Sequence, residues 1–385
     1  MSKRNCEAQM INPGKLVVVP SDALMAYHEA GYLKKLINNS YFNPSNAFKK
    51  VFIVSPIEPR GVRMVGNITV IGVKGLEAVE VLCNIDPDLI RGYGGYWACD
   101  FSVFSAALAV PETPVYISVH DDNPSLIFKS MQFADKVHCT SRGVQRAVID
   151  SGVEKDRTVV VPNWIQQQFF FRTTVLPDFP ESWPDLTNCL PILCVGRKVE
   201  QKNLETVIGA LKLLPENYIA VFIGRGDETK YKEISKKLRV DKRCYWISNV
   251  ENEELHKWYS WAHVMCTPSR YEGFGIVFIE ALACGCNIVT SDIAPMNEFL
   301  TNDYNAVLVG DYESPSAVAS AILKFEDKDF SKTISDNAVN SAGKFSIESV
   351  QQLESKEMLH CSLLSKDHDA MRRLRSTAAQ FFGRN

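Results

Sequence analysis

Short apolar runs alternate with helix-patterned stretches along most of the chain, and this alternation limits the available folds more than any other feature. Residues 15–20 (KLVVVP), 51–55 (VFIVS), 68–73 (ITVIGV), 115–119 (VYISV), 136–140 (KVHCT) and 158–161 (TVVV) read as buried strands. A further strand opens at Asp88-Leu89-Ile90 and runs into the glycine-rich Arg91-Gly92-Tyr93-Gly94-Gly95-Tyr96. Helical spacing fills the intervals, at about 27–38, 101–109 and 142–151. Strands that are apolar throughout and separated by helices predict a parallel sheet covered on both faces.

The pattern lapses over 171–188 (FRTTVLPDFPESWPDLTN), where three prolines and no periodicity predict a linker. A second series then follows, with strands near 192–195, 219–223, 244–247, 264–266 and 287–290. Helices over 204–214, 230–238 and 253–261 separate the earlier ones. The expected organisation is a Rossmann-like domain over 1–170, the linker over 171–188 and a second Rossmann-like domain over 189–350. Helices over 351–385 either stay with the second domain or return to the first. Two doubly wound domains would face a central cleft, with ligands at the carboxyl ends of the strands.

Composition narrows the function classes. With 385 residues, 46% apolar and 23% charged, the chain reads as an ordinary globular protein. A net charge of −3 argues against a nucleic-acid partner. No apolar run reaches the roughly 18 residues of a membrane span. Lys34-Lys35 and Lys49-Lys50 allow at most peripheral membrane contact. The first residues lack a secretory apolar core, so a cytoplasmic location is expected. The eleven cysteines are irregularly spaced, and Cys284 and Cys286 have no histidine pair to complete a zinc pattern. They are expected to be reduced, mostly as small core residues. The four arginines over 371–384 suit a solvated terminal helix.

Chemistry concentrates in residues 268–285 (PSRYEGFGIVFIEALACG). Turn formers lead into a helix with an apolar face at Phe274, Val277, Phe278 and Leu282. Gly273 and Gly275 permit close backbone approach where a helix start favours an anion. Glu272 and Glu280 stand on either side, separated by seven residues. Two carboxylates flanking an anion site make poor packing, but they suit a ligand whose hydroxyls lie to either side of its phosphates. Earlier, the strand at 192–195 runs into Gly196-Arg197, with Lys202 five residues on. Two cations at a strand end suit a diphosphate.

Taken in order, Val195-Gly196-Arg197, Lys202, Gly224-Arg225-Gly226, Pro268-Ser269 and Glu272 to Glu280 resemble a known family. It is family 4 of the retaining, nucleotide-sugar-dependent glycosyltransferases, of GT-B fold. The likeness extends through Asn287-Ile288-Val289-Thr290-Ser291 and Glu298, and back to His120-Asp121, Ala134-Asp135-Lys136-Val137, Ser141 and Val161-Pro162-Asn163. It covers roughly 86–300, and order and spacing agree over several separate motifs.

The resemblance implies a role for each matching position. Arg197 and Lys202 would bind the donor diphosphate and offset leaving-group charge. Glu272 would hold the donor sugar's hydroxyls and Glu280 the ribose. Gly196, Ser269 and the amides near Gly273, Phe274 and Gly275 would support phosphate and sugar. Asn249-Val250 falls where the family reads the base, and His120 would sit beside the transferred sugar. Catalysis would rest on Glu272, Arg197, Lys202 and His120, with no cofactor and no metal ion.

Three departures stand out. Ser21 to Tyr27 replaces the family's Gly-Gly loop, which leaves this region open to the acceptor. Trp164 follows Pro162-Asn163 where the family has glycine. Tyr93-Gly94-Gly95 either offers an aromatic acceptor platform or forms a buried turn with core tyrosines. The expected activity is transfer of a sugar from a UDP- or GDP-linked donor to a glycan, lipid or other hydroxyl acceptor, with retained configuration. The alternatives are a nucleotide-sugar epimerase or hydrolase on the same scaffold, and a non-catalytic nucleotide-sugar-binding protein.

Overall fold

The computed structural model describes residues 14–364 apart from 30 and 32, together with 374 and 378. These fall into two compact units. The first holds the described residues up to Thr140, those of 144–161 and those from 351 on; the second holds 141–143 and 162–350.

The first unit is built on seven strands: β1 (Lys15–Val19), β2 (Lys50–Val65), β3 (Ile68–Gly72), β4 (Leu89–Tyr93), β5 (Val115–Val119), β6 (Lys136–Cys139) and β7 (Thr158–Val160). Their order is β3-β2-β1-β4-β5-β6-β7. Side chains alternate across this sheet as a strand period of two requires. Val17, Val19, Ile90 and Ile117 enter one core, whereas Leu16, Val18, Leu89 and Tyr116 enter the other. β2 outruns the expected strand. Residues 51–55 pair with β3 in parallel, and then Val62 faces Ile71 and Val65 faces Ile68, so the chain reads back along the same strand. The helix expected over 27–38 is two, Leu24–Glu29 and Leu33–Asn38, on either side of Gly31 at φ 78°.

The second unit carries six strands: β8 (Leu190–Val195), β9 (Tyr218–Ile223), β10 (Cys244–Ile247), β11 (Val264–Thr267), β12 (Ile288–Ser291) and β13 (Val307–Val309). Their order is β10-β9-β8-β11-β12-β13, all paired in parallel. In both sheets the order reverses beside the first strand, between β1 and β4 and between β8 and β11. Such a reversal leaves a crevice at the carboxyl ends, where doubly wound sheets bind ligands. The fold class read from the sequence, two Rossmann-like α/β units, is the one observed.

Residues 171–188, expected as a linker, lie within the second unit and carry its aromatic packing. Phe179 meets Trp261 edge-on at 4.8 Å and Trp258 at 5.7 Å, and Trp183 lies 4.6 Å from Tyr245. The stretch lacks periodicity because it is a strap without regular structure, yet its rings bury apolar area. Nine of the described cysteines are partly or fully buried and none is disulfide-bonded; Cys83 alone is exposed. Cys6 and most of the arginine-rich stretch at 371–384 lie outside the described residues.

Candidate functional site

Of the residues singled out in the second unit, Gly196, Lys202, Ser269 and Glu272 come together beyond the carboxyl ends of β8 and β11, while Glu280 lies in the following helix and Asn249-Val250 after β10. Gly196 after β8 and Gly224 after β9 both adopt φ 141°. A Cβ on Gly224 would lie 2.0 Å from the Gly196 carbonyl oxygen, so the two turns touch backbone to backbone. Lys198 locks them together. Its ammonium donates to the carbonyls of Gly224 and, at 2.9 Å, Ile247, and it pairs with Glu228 at 2.9 Å. Arg197 is exposed, and among the described residues it has no ion-pair partner.

Lys202 is 8% exposed and lies 2.6 Å from Glu272 Oε1. The Ser269 hydroxyl donates to the same oxygen at 2.7 Å, and Gln201 donates to the Tyr271 carbonyl at 2.8 Å. Ser269 itself is fully buried beyond the end of β11, with its carbonyl accepting from Ser291 at 2.6 Å. Expected as a diphosphate ligand and a sugar ligand, Lys202 and Glu272 are each other's counter-ion. A ligand anion reaching Lys202 competes with, or shares, that contact.

The two glutamates do not share a helix face. The helix runs Ile276–Ala283, Gly275 before it is left-handed at φ 86°, and the Phe278 ring fills the space a Cβ there would take. Glu272 belongs to the loop ahead of that helix and Glu280 to its body. Glu280 is 5% exposed and accepts from the Tyr259 hydroxyl at 2.9 Å. Burial, then the charge of Glu280 and its hydrogen bond, push the Tyr259 hydroxyl well above its ordinary range, which keeps it a donor. Phe274 packs into the core, stacked on Phe299 at 5.1 Å, so only its backbone can serve a ligand. Asn249 is exposed, and Val250 joins the apolar cluster beneath it. Lys198 and Tyr259 were missed in the sequence. Lys198 adjoins the Gly-Arg signal and was there to be weighed, but nothing local links Tyr259 to Glu280.

In the first unit a cavity of about 410 Å³ opens where the sheet order reverses. It is lined by Ser21 after β1, Tyr93 to Tyr96 after β4, and His120 and Asp121 after β5. Gly94 and Gly95 line it, whereas Tyr93 is not an open platform. It is 3% exposed, its hydroxyl donates to the Tyr41 carbonyl at 2.8 Å, and its ring stacks on His120 at 6.2 Å. The wall is Tyr96, whose ring closes over Gly94 so tightly that a Cβ there would meet it at 2.6 Å.

Behind Tyr93 lies a buried charge cluster that composition gave no hint of. Arg91 stacks under the Tyr93 ring at 4.3 Å and pairs with Glu354. His138 Nδ1 is 3.2 Å from the same carboxylate, and its Nε2 is 2.8 Å from the Val161 carbonyl oxygen. Burial alone would raise the Glu354 carboxyl. Arg91, a hydrogen bond and charge from His138, and the charge of His120 outweigh it and hold the group at about 2. Among the described residues no three His, Cys, Asp or Glu side chains group as metal ligands, and no helix is long and apolar enough to cross a membrane.

Residues 187–343 match the family profile of the glycosyl transferases group 1. An uncharacterized glycosyltransferase of Methanocaldococcus jannaschii is 33% identical over 151 residues, covering 38% of this chain and 38% of that protein. D-inositol 3-phosphate glycosyltransferase of Xylanimonas cellulosilytica is 33% identical over 136 residues, covering 34% and 32%. The chain thus spans under two-fifths of the length of these two curated relatives. Among solved structures, Anabaena Alr3699/HepE in complex with UDP-glucose superposes with a TM-score of 0.66 at 17% identity, over 90% of this chain and 99% of that one.

Proposed function

Because residues 187–343 match the glycosyl transferases group 1 and the described units have the GT-B fold, we propose that the chain is a retaining glycosyltransferase using a nucleoside diphosphate sugar. The observation that carries this reading is the buried Lys202–Glu272–Ser269 cluster at the carboxyl ends of β8 and β11. An ammonium and a carboxylate held together away from water are costly unless something else uses them. A sugar diphosphate uses both: its phosphates take the ammonium and its hydroxyls take the carboxylate.

In this reading the exposed Arg197 and the released Lys202 neutralise the departing diphosphate, in place of a metal ion. Glu272 accepts from the sugar hydroxyls. Glu280, aimed by Tyr259, accepts from the ribose, and the turn at Asn249-Val250 meets the base. Lys198 keeps the two glycine turns in contact so that backbone amides stay in place. The acceptor hydroxyl comes from the cavity of the first unit, with His120 at its edge. As the glycosidic bond to phosphate breaks, the phosphate oxygen takes the acceptor's proton and the new bond forms on the same face. The protein supplies positioning and charge rather than a nucleophile. UDP is the first donor to test, since the solved Anabaena relative holds UDP-glucose.

The test is a calorimetric and thermal-shift screen of UDP, GDP and their sugars, followed by product analysis. Selective binding of one nucleotide, weakened in Lys202→Ala, is expected. Binding of none sinks the proposal. Release of free sugar that no acceptor can suppress would favour a hydrolase.

A further inference from the structure

The cavity in the first unit also carries information about what enters it. Its lining is aromatic and acidic: Tyr41, Tyr96 and His120 supply rings, and Asp121 supplies a carboxylate at the mouth. Among the described lining residues there is no lysine or arginine. The surroundings deepen the negative character. Asp122 stands next to Asp121, and burial followed by that neighbouring charge raises its carboxyl. Asp22 accepts from Ser21 Oγ at 2.9 Å, and its charge reaches the Tyr96 hydroxyl, which burial also raises. Arg91, under the Tyr93 ring, is spent: its side chain is 2% exposed and paired with Glu354. An incoming phosphate or carboxylate would meet the Asp121 carboxylate and, among the described lining residues, no compensating lysine or arginine.

From this we infer that the cavity takes a hydroxyl-rich acceptor, a sugar or polyol, that bears no anionic group on the part that enters. The inference rests on reading the chain as a glycosyltransferase with its acceptor in this unit. Its volume lies at the lower end of the roughly 300–1,000 Å³ typical of small-molecule sites. Tyr96 offers an amphipathic face to the C–H side of a ring, while Ser21, Asp121 and His120 offer hydrogen-bonding groups to hydroxyls. Asp121 Oδ1 already accepts from the Asn123 amide at 2.8 Å, which holds the carboxylate in place at the rim. Anion-binding sites look different: they present arginine forks, lysines or exposed amide nests.

Saturation-transfer NMR with paired probes tests this directly. Glucose, galactose, mannose, N-acetylglucosamine and myo-inositol would each be compared with its phosphate ester, with UDP or GDP present and without. At least one neutral probe is expected to receive saturation, and its phosphate ester to bind at least tenfold more weakly. Tyr96→Ala should abolish the neutral signal while leaving nucleotide affinity unchanged. Asp121→Lys, at an exposed position, should narrow or reverse the preference. Equal or tighter binding of the phosphate esters overturns the inference, as does silence from every neutral probe. Because the preference is read without nucleotide as well, a chain that binds sugars but no nucleotide refutes the donor-site reading alone.

Discussion

Lys202 Nζ and Glu272 Oε1 lie 2.6 Å apart although 70 residues separate them in sequence. Each side chain is at most 10% exposed. Removing one partner strands the other in a place water hardly reaches, whereas removing both replaces the pair with ordinary packing.

Lys202→Ala and Glu272→Gln should each lower transfer at least about a hundredfold in kcat/KM, because each deletes charge from the donor site. Each should also cost about 3 kcal/mol of stability. Combining Lys202→Met with Glu272→Leu should restore most of the stability and none of the activity. Steady-state kinetics alongside urea unfolding separates the two effects. Transfer at the parental rate in Lys202→Ala would remove this residue from the mechanism.

Tyr259 aims Glu280, and its loss should register in nucleotide binding. Tyr259→Phe keeps the buried ring and deletes one hydrogen bond to a carboxylate, worth about 1.5 kcal/mol. Calorimetry with UDP or GDP should therefore give a dissociation constant about tenfold higher. An unchanged constant would mean that Glu280 does not hold the ribose.

What could be read in advance divides along physical lines. The strands were legible because a parallel sheet covered on both faces demands apolar residues at every position, as in Ile192 to Val195. The proposed donor segment stood out in the sequence because Glu272, Gly273, Gly275 and Glu280 lie within a few residues of one another. The linker assignment for 171–188 failed because a strap pinned by Phe179 and Trp183 has no period to detect. The glycine-rich turn after β4 allowed either an open aromatic platform or a buried turn with core tyrosines, and Tyr93 follows the second because β4 ends at that residue and draws its ring inward. The Arg91–Glu354 pair, 263 residues apart, could not be inferred from either local sequence.

Backbone contact between two turns gives a sharper structural prediction. Gly224→Ala places a methyl group 2.0 Å from the Gly196 carbonyl oxygen at φ 141°, where L side chains are strained in any case. A loss of about 2–4 kcal/mol is expected, together with weaker nucleotide binding as the Gly196 turn shifts. Gly343→Ala is the control. Its φ of −56° is helical and nothing lies within 4 Å of its Cβ position. It should be neutral or stabilising by up to about 1 kcal/mol. Equal melting temperatures for the two variants would refute the contact.

Glu354 should impose a defined pH dependence on stability. Its carboxyl is held at about 2, below an ordinary value of 4.5. A depressed carboxylate stabilises the fold at pH values above the ordinary one, and that contribution drains away as pH falls from about 4.5 through 2. Over the whole window the loss amounts to about 3 kcal/mol. Glu354→Gln leaves Arg91 buried without a counter-ion and should be less stable than the parent by about 3–5 kcal/mol at pH 7. Subtracting the two proteins' urea-unfolding free energies cancels the titrations they share. The difference should shrink steadily as pH falls below about 4.5. A difference that stays constant down to pH 3, or that widens there, would show that Glu354 is not the ionised partner of Arg91.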